Sequence, residues 1–264
     1  WLGIGGLTLQ PSELAKLGVI LCFSSLICRM RGRMSTFKYG ILPFAAILGL
    51  IVGLLVLEPH FSASIIIIAV GGVMMFLGGV RLGWFIGAGS AAAVGIGVLL
   101  MLFPYASGRI NTWRDPFSSS SDEGYQIVQS LYTIGSGGLS GLGLGMSRQK
   151  YLYLPEEHND FIFSVVCEEL GFIGAALILL LFALLILRGY WIALHCRDRF
   201  SFLVVAGITT LLAIQVFLNV AVVTNLVPCT GISLPFFSYG GTALLIQLGE
   251  MGIILSASRD VIEK

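Results

Sequence analysis

Long apolar stretches recur along this chain of 264 residues. A bilayer core about 30 Å thick is crossed by about 20 mostly apolar residues in helical conformation, and a helix satisfies its own main-chain hydrogen bonds there. Seven stretches are long enough, at about 12–28, 40–57, 61–79, 83–105, 160–187, 200–227 and 241–257. The sequence therefore predicts an all-α polytopic membrane protein, a single membrane domain over residues 1–264 with seven transmembrane helices.

Composition excludes other classes of protein. Charged residues make up 11% of the chain, against roughly 25% in ordinary soluble domains. The net charge is +1, and no basic run is long enough to predict a nucleic-acid partner. No two of the five cysteines have the spacing of metal ligands, so neither a metal site nor a cofactor is identified, although a divalent cation is left open.

The basic residues predict the orientation in the membrane. Ten of the fifteen Lys and Arg residues lie in alternate loops, which the positive-inside rule assigns to the cytoplasm. The N-terminus of this chain is then outside and its C-terminus cytoplasmic, so the acids of the opposite loops face outward. Because the chain begins at Trp1, it is interpreted as the later part of a longer protein. The ten residues are Arg29, Arg31, Arg33, Lys38, Arg81, Arg188, Arg197, Arg199, Arg259 and Lys264.

One outer loop, residues 106–159, is far longer than a connection requires and is therefore expected to be functional. Within it, residues 125–134 have the spacing of a short amphipathic helix at the membrane surface, and a glycine-rich stretch from Gly135 to Gly145 follows. Arg148 and Lys150 come next. Two cations beside a headgroup region either anchor phospholipid or contact a diphosphate.

An acid stands at the start of the fifth apolar stretch. If Asp160 opens that helix, small residues follow on the same face at i+4, i+7 and i+11. They are Ser164, Cys167 and Gly171. Such a face packs against other helices or lines a cavity. Asp160 is alternatively an N-cap or first-turn acid that the helix dipole favours.

The neighbours of Asp160 have simpler interpretations. Glu156 and Glu157 after Pro155 suit a solvated turn. His158 and Asp160 could hold a metal ion, but no third ligand lies nearby in the sequence.

Other ionisable residues lie near or within apolar stretches, where they are costly and are either functional or paired. Glu168, Glu169 and Glu250 are of this kind, and Glu169 is on the far side of its helix from Asp160. Lys16 stands at i+3 from Glu13, so a local ion pair competes with a functional role.

The last outer loop, residues 228–240, is rich in proline, glycine and aromatic residues. Such a loop at membrane depth suggests a re-entrant segment that ends at a helix N-terminus, where Ser238, Thr242 and the amides of Gly240 and Gly241 could meet an anion. A plain turn with aromatic residues at the membrane interface is the alternative.

Three stretches resemble the SEDS family of bacterial membrane proteins, which comprises FtsW, RodA and SpoVE. They are "LTLQPSELAKL" (7–17), "GYQIVQSLYTIGSGGLSGLGLGMSRQKYLYLPEEHNDFIFSVVCEELGFIG" (124–174) and "TGISLPFFSYGGTALL" (230–245). They occur in the family's order and spacing, the likeness covers essentially the whole chain, and "SRQKYLYLPEEHNDFIF" is closer to the FtsW and SpoVE branch. This sequence departs from the family's pattern at "EPHFSAS" (58–64), where many relatives have a glutamine, proline and aspartate run.

The resemblance implies a fold of about ten helices, of which about three would precede Trp1. It also implies an enzyme of the bacterial plasma membrane that polymerises lipid II, the undecaprenyl-diphosphate-linked disaccharide pentapeptide, into peptidoglycan in division or sporulation. The expected partners are a class B penicillin-binding protein, other divisome proteins and membrane lipid.

The resemblance further implies that Asp160 is the general base, and nine other residues are candidates for binding substrate. These candidates are Lys16, Arg109, Arg148, Lys150, Glu157, His158, Ser238, Gly240 and Gly241. Two other functions stay open. The protein could flip lipid II across the membrane, or it could be a scaffold without catalysis that recruits the penicillin-binding protein.

Overall fold

The computed structural model describes residues 2–4, 7–58, 61–90, 111–118, 122–148, 155 and 158–259. A short antiparallel hairpin, β1 (Leu2–Ile4) and β2 (Leu7–Leu9), precedes the first helix and pairs Leu2 with Leu9. Helix α1 then begins at Pro11, where proline is favoured because its fixed φ suits the first helical turn.

Helices account for most of the described chain. They are α1 (Pro11–Arg29), α2 (Phe37–Gly40), α3 (Leu42–Leu57), α4 (Phe61–Gly78), α5 (82–90), α6 (111–114), α7 (Asp122–Ser136), α8 (Ile162–His195), α9 (Arg199–Val223) and α10 (Gly241–Ser258). The all-α polytopic fold is therefore confirmed.

Five segments are long and apolar enough to cross a membrane among the residues described here. They are Pro11–Arg29, Phe37–Leu57, Ile162–His195, Arg199–Val223 and Gly241–Ser258. They correspond to five of the seven predicted spans. The predicted span at 61–79 forms the shorter apolar helix α4, and only the first part of the predicted span at 83–105 lies within the described residues. The count of seven stays a prediction.

The chain divides into two compact units. The first contains residues 1–86, 184–214 and 240–264, and the second contains residues 87–183 and 215–239. In the first unit, α1 packs against α4 and α10, and α3 packs against α4. Phe23 and Phe44 are fully buried there with their rings edge to face at 4.8 Å.

In the second unit, α7 packs against the beginning of α8. The buried side of α7 contains Ile127, Ser130 and Thr133, and the hydroxyl of Ser130 lies 2.7 Å from the hydroxyl of Ser164. The same Ser130 hydroxyl donates to the main-chain oxygen of Val223 at the end of α9. The predicted amphipathic helix is thus present, and Ser164 of the predicted small-residue face of α8 contacts it.

Helices α8 and α9 differ in what surrounds them. Most of α9 is buried, as expected for a helix that is apolar on all sides. Most of α8 is exposed, including Leu177, Leu180 and Leu181, and these side chains suit contact with lipid. In the second unit, the first part of α8 therefore has an exposed apolar side, and its first turns pack against α7 and the loop that follows α7.

Candidate active site

Asp160 lies in a turn, residues 158–161, that immediately precedes α8. The helix begins at Ile162, so Asp160 stands just before the helix and does not open it. Phe161, the next residue, is buried and anchors the turn in the core of the unit, whereas Asp160 is half-buried and His158 is exposed. Asp160 therefore lies just before the N-terminus of α8, on a turn that buried Phe161 holds in place.

Asn219 on α9 connects this turn to the last outer loop. Its side-chain Nδ2 donates to the main-chain oxygen of Asp160 at 2.8 Å and to that of Ile232 at 2.6 Å. Asn219 is fully buried. Since an unsatisfied buried carbonyl costs about 1–3 kcal/mol, both segments are strongly held in this register.

Two further hydrogen bonds join the same loop to the turn. The main-chain N–H of Tyr239 donates to the oxygen of His158 at 2.8 Å. The hydroxyl of Ser238 donates to the oxygen of Asn159 at 2.8 Å and accepts from the N–H of Leu234 at 2.7 Å. The loop of residues 228–240 and the segment before α8, both singled out in the sequence, thus meet along residues 158–160.

Gly231 lies directly against the carboxyl group of Asp160. A Cβ atom at Gly231 would stand 3.1 Å from Asp160 Oδ2, closer than most real side-chain contacts, and Gly231 has φ +59°. Gly231 is exposed. The Asp160 side chain therefore points toward an exposed part of the loop, where a solvated reactant can approach it.

The loop also contains a strained residue. Phe236 has φ +66°, which is unusual for a bulky side chain. Its ring stacks with that of Phe182 on α8 at 6.5 Å, and Phe182 is also 6.0 Å from the ring of Phe237. A strained main-chain conformation persists only where the surrounding packing holds it in place, and such conformations are frequent at functional sites.

A second cluster joins the glycine-rich stretch to α8 about two turns further along. Helix α8 is interrupted at Gly171 (φ 68°, ψ −172°), and main-chain hydrogen bonds from residues 138–143 cover the interruption. These bonds join Leu142 N to Glu168 O, Gly143 N to Glu169 O, Phe172 N to Gly138 O and Ile173 N to Leu139 O, at 2.9 to 3.2 Å. We call residues 136–148 with 168–173 the glycine clasp.

Glycine is required where the clasp is closest. A Cβ atom at Gly171 would overlap the main chain of Leu139, Ser140 and Gly141. The conformation of Gly171 is also one that essentially only glycine adopts. Close contact between the loop and the helix therefore explains glycine at Gly137, Gly141 and Gly171.

The carboxyl group of Glu168 lies inside the clasp and is 1% exposed. Oε1 accepts from the Ser136 hydroxyl at 3.2 Å and from the main-chain N–H of Arg148 at 3.3 Å, and Oε2 accepts from the Ser147 hydroxyl. Oε1 of Glu169 accepts from the N–H of Ser147 at 3.3 Å. Of the two roles left open for these acids, the structure gives Glu168 a paired one.

Lys16 lies in the first unit and is buried. Its ammonium group is 2.7 Å from each carboxyl oxygen of Glu13, so the local ion pair is present. Glu250 on α10 is also buried in that unit. Gly240 precedes α10 and Gly241 begins it. A substrate-binding role for Lys16, Gly240 and Gly241 stays a prediction.

Three predicted site residues lie outside the described residues, as does Glu156 beside one of them. They are Arg109, Lys150 and Glu157. Among the other candidates, the structure brings His158 and Ser238 to the Asp160 turn through main-chain and side-chain hydrogen bonds. Arg148 is exposed at the end of the glycine clasp.

Asn219 and Gly231 are site residues that sequence reasoning missed. Asn219 is a polar residue within an apolar stretch, which is itself a signal because such residues are costly in a membrane. Gly231 gives no comparable signal, since its contact with Asp160 arises only when the last loop folds back on α8.

Comparison with known proteins identifies the wider group. The family model of the FtsW, RodA and SpoVE cell cycle proteins matches residues 1–262. The chain is 40% identical over 259 residues to stage V sporulation protein E of Bacillus subtilis strain 168, covering 98% of this chain and 71% of that protein. It is 39% identical over 258 residues to a protein named probable peptidoglycan glycosyltransferase FtsW from Geobacter sp. strain M18, covering 98% and 70%.

Solved structures agree with these relatives. A chain solved in work on the structural coordination of polymerization and crosslinking by a peptidoglycan synthase complex matches with a TM-score of 0.82 and 31% identity, covering 100% of this chain and 74% of that one. The rod shape determining protein RodA of Thermus thermophilus matches with a TM-score of 0.65 and 30% identity, covering 100% and 70%.

Proposed function

Because the chain belongs to the FtsW, RodA and SpoVE family of cell cycle proteins, we infer that it is a multi-pass membrane peptidoglycan glycosyltransferase. We propose further that Asp160 is its general base and that lipid II is its substrate. One observation supports this assignment above the others. Asn219 and the last outer loop fix the main chain of Asp160, while its side chain lies against an exposed glycine.

The proposed reaction is a direct displacement. The 4-hydroxyl of the acceptor sugar attacks the anomeric carbon of the donor, and its proton passes to the carboxylate of Asp160. The bond between the anomeric carbon and the diphosphate oxygen breaks, so undecaprenyl diphosphate leaves and an α-linked donor yields a β-linked product. A well-placed general base contributes about 10²- to 10⁴-fold to the rate.

Cations would stabilise the leaving diphosphate. Charge develops on that group as the bond breaks, and fixed positive groups stabilise it. Arg148 is exposed at the end of the glycine clasp, and we propose that it contacts the diphosphate together with Lys150. The undecaprenyl chain stays in the bilayer while the sugars react at its outer surface, so the base and the cations belong near the membrane interface.

Partner and orientation follow as proposals. The structural neighbour solved in the study of a peptidoglycan synthase complex supports a class B penicillin-binding protein as partner, together with other divisome proteins and membrane lipid. The distribution of Lys and Arg supports an outer N-terminus and a cytoplasmic C-terminus for this chain.

Polymerisation of lipid II by purified full-length protein with its transpeptidase partner tests the assignment. We expect Asp160→Asn to bind lipid II normally and to lose about 10²- to 10⁴-fold in rate. Asp115→Asn, at an exposed aspartate of the long loop, is the matched control and is expected to keep its activity. Polymerisation by the Asp160→Asn protein at the wild-type rate would exclude the assignment.

Two other outcomes would support the alternative functions. Translocation of labelled lipid II in liposomes without glycan synthesis would favour a transporter. Loss of partner binding as the only defect of variants in the outer loops would favour a scaffold.

A further inference from the structure

Glu168 is buried in a membrane helix, yet its carboxyl group accepts hydrogen bonds from three groups at the two ends of the glycine-rich stretch. Each of its donors, the Ser136 hydroxyl, the Ser147 hydroxyl and the Arg148 N–H, lies at one or other end of the glycine-rich stretch. A carboxylate can accept several hydrogen bonds at once. One side chain therefore closes both ends of the loop onto α8.

Packing alone does not require such a group. Apolar residues of similar volume often replace buried ionic groups without loss of stability, and the surrounding main-chain bonds already attach the loop to the helix. What the carboxylate adds is the position of the last residues of the loop. Its third donor is the main chain of Arg148, the residue whose side chain is exposed beyond the clasp.

We propose that Glu168 is a positioning residue that sets Arg148 against the diphosphate of the lipid-linked donor. This inference rests on the proposed function, in which Arg148 contacts that diphosphate. The clasp fixes the main chain of Arg148, so its long side chain reaches a defined region of the outer surface. When the clasp is released, the Arg148 main chain moves, and the guanidinium group contacts the diphosphate less often.

The expected defect is in binding more than in chemistry. The diphosphate is charged both before and during the reaction, so an interaction with it contributes to ground-state binding. We expect Glu168→Gln and Ser147→Ala to raise KM for lipid II by about tenfold and to lower kcat by a smaller factor, because most of the diphosphate charge is present before the reaction and the base at Asp160 is held by other contacts. A general loss of folded protein would lower the active fraction and leave KM unchanged.

The deciding experiment is direct binding of undecaprenyl diphosphate to full-length protein in nanodiscs. We expect Glu168→Gln and Arg148→Ala each to weaken binding about tenfold, and the double variant to be no weaker than Arg148→Ala alone. Ser140→Ala, an exposed serine of the same loop, is the matched control. Hydrogen exchange of residues 137–148 is expected to rise in Glu168→Gln and in Ser147→Ala but not in Ser140→Ala.

Several results would overturn the inference. One is a looser loop by hydrogen exchange with unchanged binding of undecaprenyl diphosphate. Another is additive loss in the double variant, which would mean that Glu168 does not act through Arg148. Equal competition by phosphatidylglycerol would make Arg148 an ordinary headgroup anchor. Binding needs no polymerisation, so a failure of the proposed function would appear separately as absent glycan synthesis by wild-type protein.

Discussion

Asp160 and Glu168 belong to one stretch of chain and one compact unit, yet their surroundings differ. Asn219, Ser238 and the N–H of Tyr239 hold the main-chain oxygens of residues 158–160, and half-buried Asp160 has its carboxyl group beside exposed Gly231. Glu168 is held by its carboxyl group and is buried. The difference separates an acid suited to meet a reactant from an acid suited to fix a loop.

The physical reason lies in what each role requires. A general base must reach the proton that it accepts, so its carboxyl group has to be near substrate while its main chain stays fixed. A positioning acid must keep its donors, and burial strengthens those hydrogen bonds. Variants of the two regions should therefore have different defects. Those of the clasp should loosen or unfold the loop, and those of the Asp160 turn should lower kcat.

The largest expected effect is at the interruption of α8. Gly171→Ala places a Cβ against the main chain of Leu139 and Gly141 and forces an unfavourable φ, so we expect it to cost more than about 3 kcal/mol or to prevent folding. Gly135→Ala, in the last turn of α7 with open space around it, is the matched control and should be neutral or slightly stabilising. Thermal unfolding in detergent checks both.

A Gly171→Ala protein as stable as wild type would mean that the loop does not need its close contact with the helix. The glycine clasp would then be the wrong description of residues 136–148, and its contrast with the Asp160 turn would be lost.

The next effect is on the rate. Asn219→Leu removes the donor shared by the main-chain oxygens of Asp160 and Ile232, and we expect about a 10- to 100-fold lower kcat because the base is misplaced. The control is Gln215→Leu, which removes a buried amide one helical turn earlier on α9. Initial rates on lipid II, with the folded fraction measured in parallel, distinguish the two.

If both variants lose the same activity, the loss reflects a disturbed α9 and gives no support for positioning of Asp160. If only Asn219→Leu loses activity, the loss is caused by removal of its hydrogen bond to the Asp160 turn.

A smaller effect is expected at Gly231. In Gly231→Ala, the new methyl group approaches Oδ2 of Asp160, so we expect kcat to fall about tenfold with a stability loss of about 1–2 kcal/mol from the positive φ. Gly79→Ala shares a positive φ (+97°) but has open space around it and lies outside both regions, so it should show the stability loss alone. Equal activity in the two variants would contradict the contact with Asp160.

Much of this organisation could be predicted from sequence because apolar length and helical period have simple physical causes. Spans follow from the thickness of the bilayer, and the helix at residues 125–134 follows from its period. The Glu13–Lys16 pair follows from i, i+3 spacing. Asp160 is proposed as the base through resemblance, since an acid near a helix N-terminus is by itself equally well explained as a cap.

The rest depends on contacts between segments far apart in the chain. Asn219 reaches Asp160 across 59 positions, and Ser238 reaches Asn159 across 79. The start of α8 was predicted two residues early because the turn at residues 158–161 is held by the last loop and not by the helix. No local period encodes such long-range hydrogen bonds.

The smallest effect is expected at a third acid, which lies outside both regions and supplies a reference for them. Asp198 directly precedes α9, and its Oδ2 accepts from the N–H of Ser201 at 2.8 Å. Hydrogen bonds from Ser201, first of all from its main chain, lower the pKa of Asp198 below its ordinary value of 3.8. We expect Asp198→Ala to cost about 1 kcal/mol, the usual value of a helix cap, with no change in kcat or KM.

The pH dependence of Asp198→Ala sharpens the comparison. Because the folded protein holds this carboxyl group at a lowered pKa, its stabilising effect is complete above the ordinary pKa and is lost as pH falls through the folded value. The difference in unfolding free energy between wild type and Asp198→Ala should therefore be constant near neutral pH and should shrink below about pH 4. A difference that persists in acid would mean that the cap does not depend on charge. A change in polymerisation rate at neutral pH would show that even a remote helix cap affects the reaction, and the rate effects assigned to Asn219 and Gly231 would then no longer be specific to the Asp160 turn.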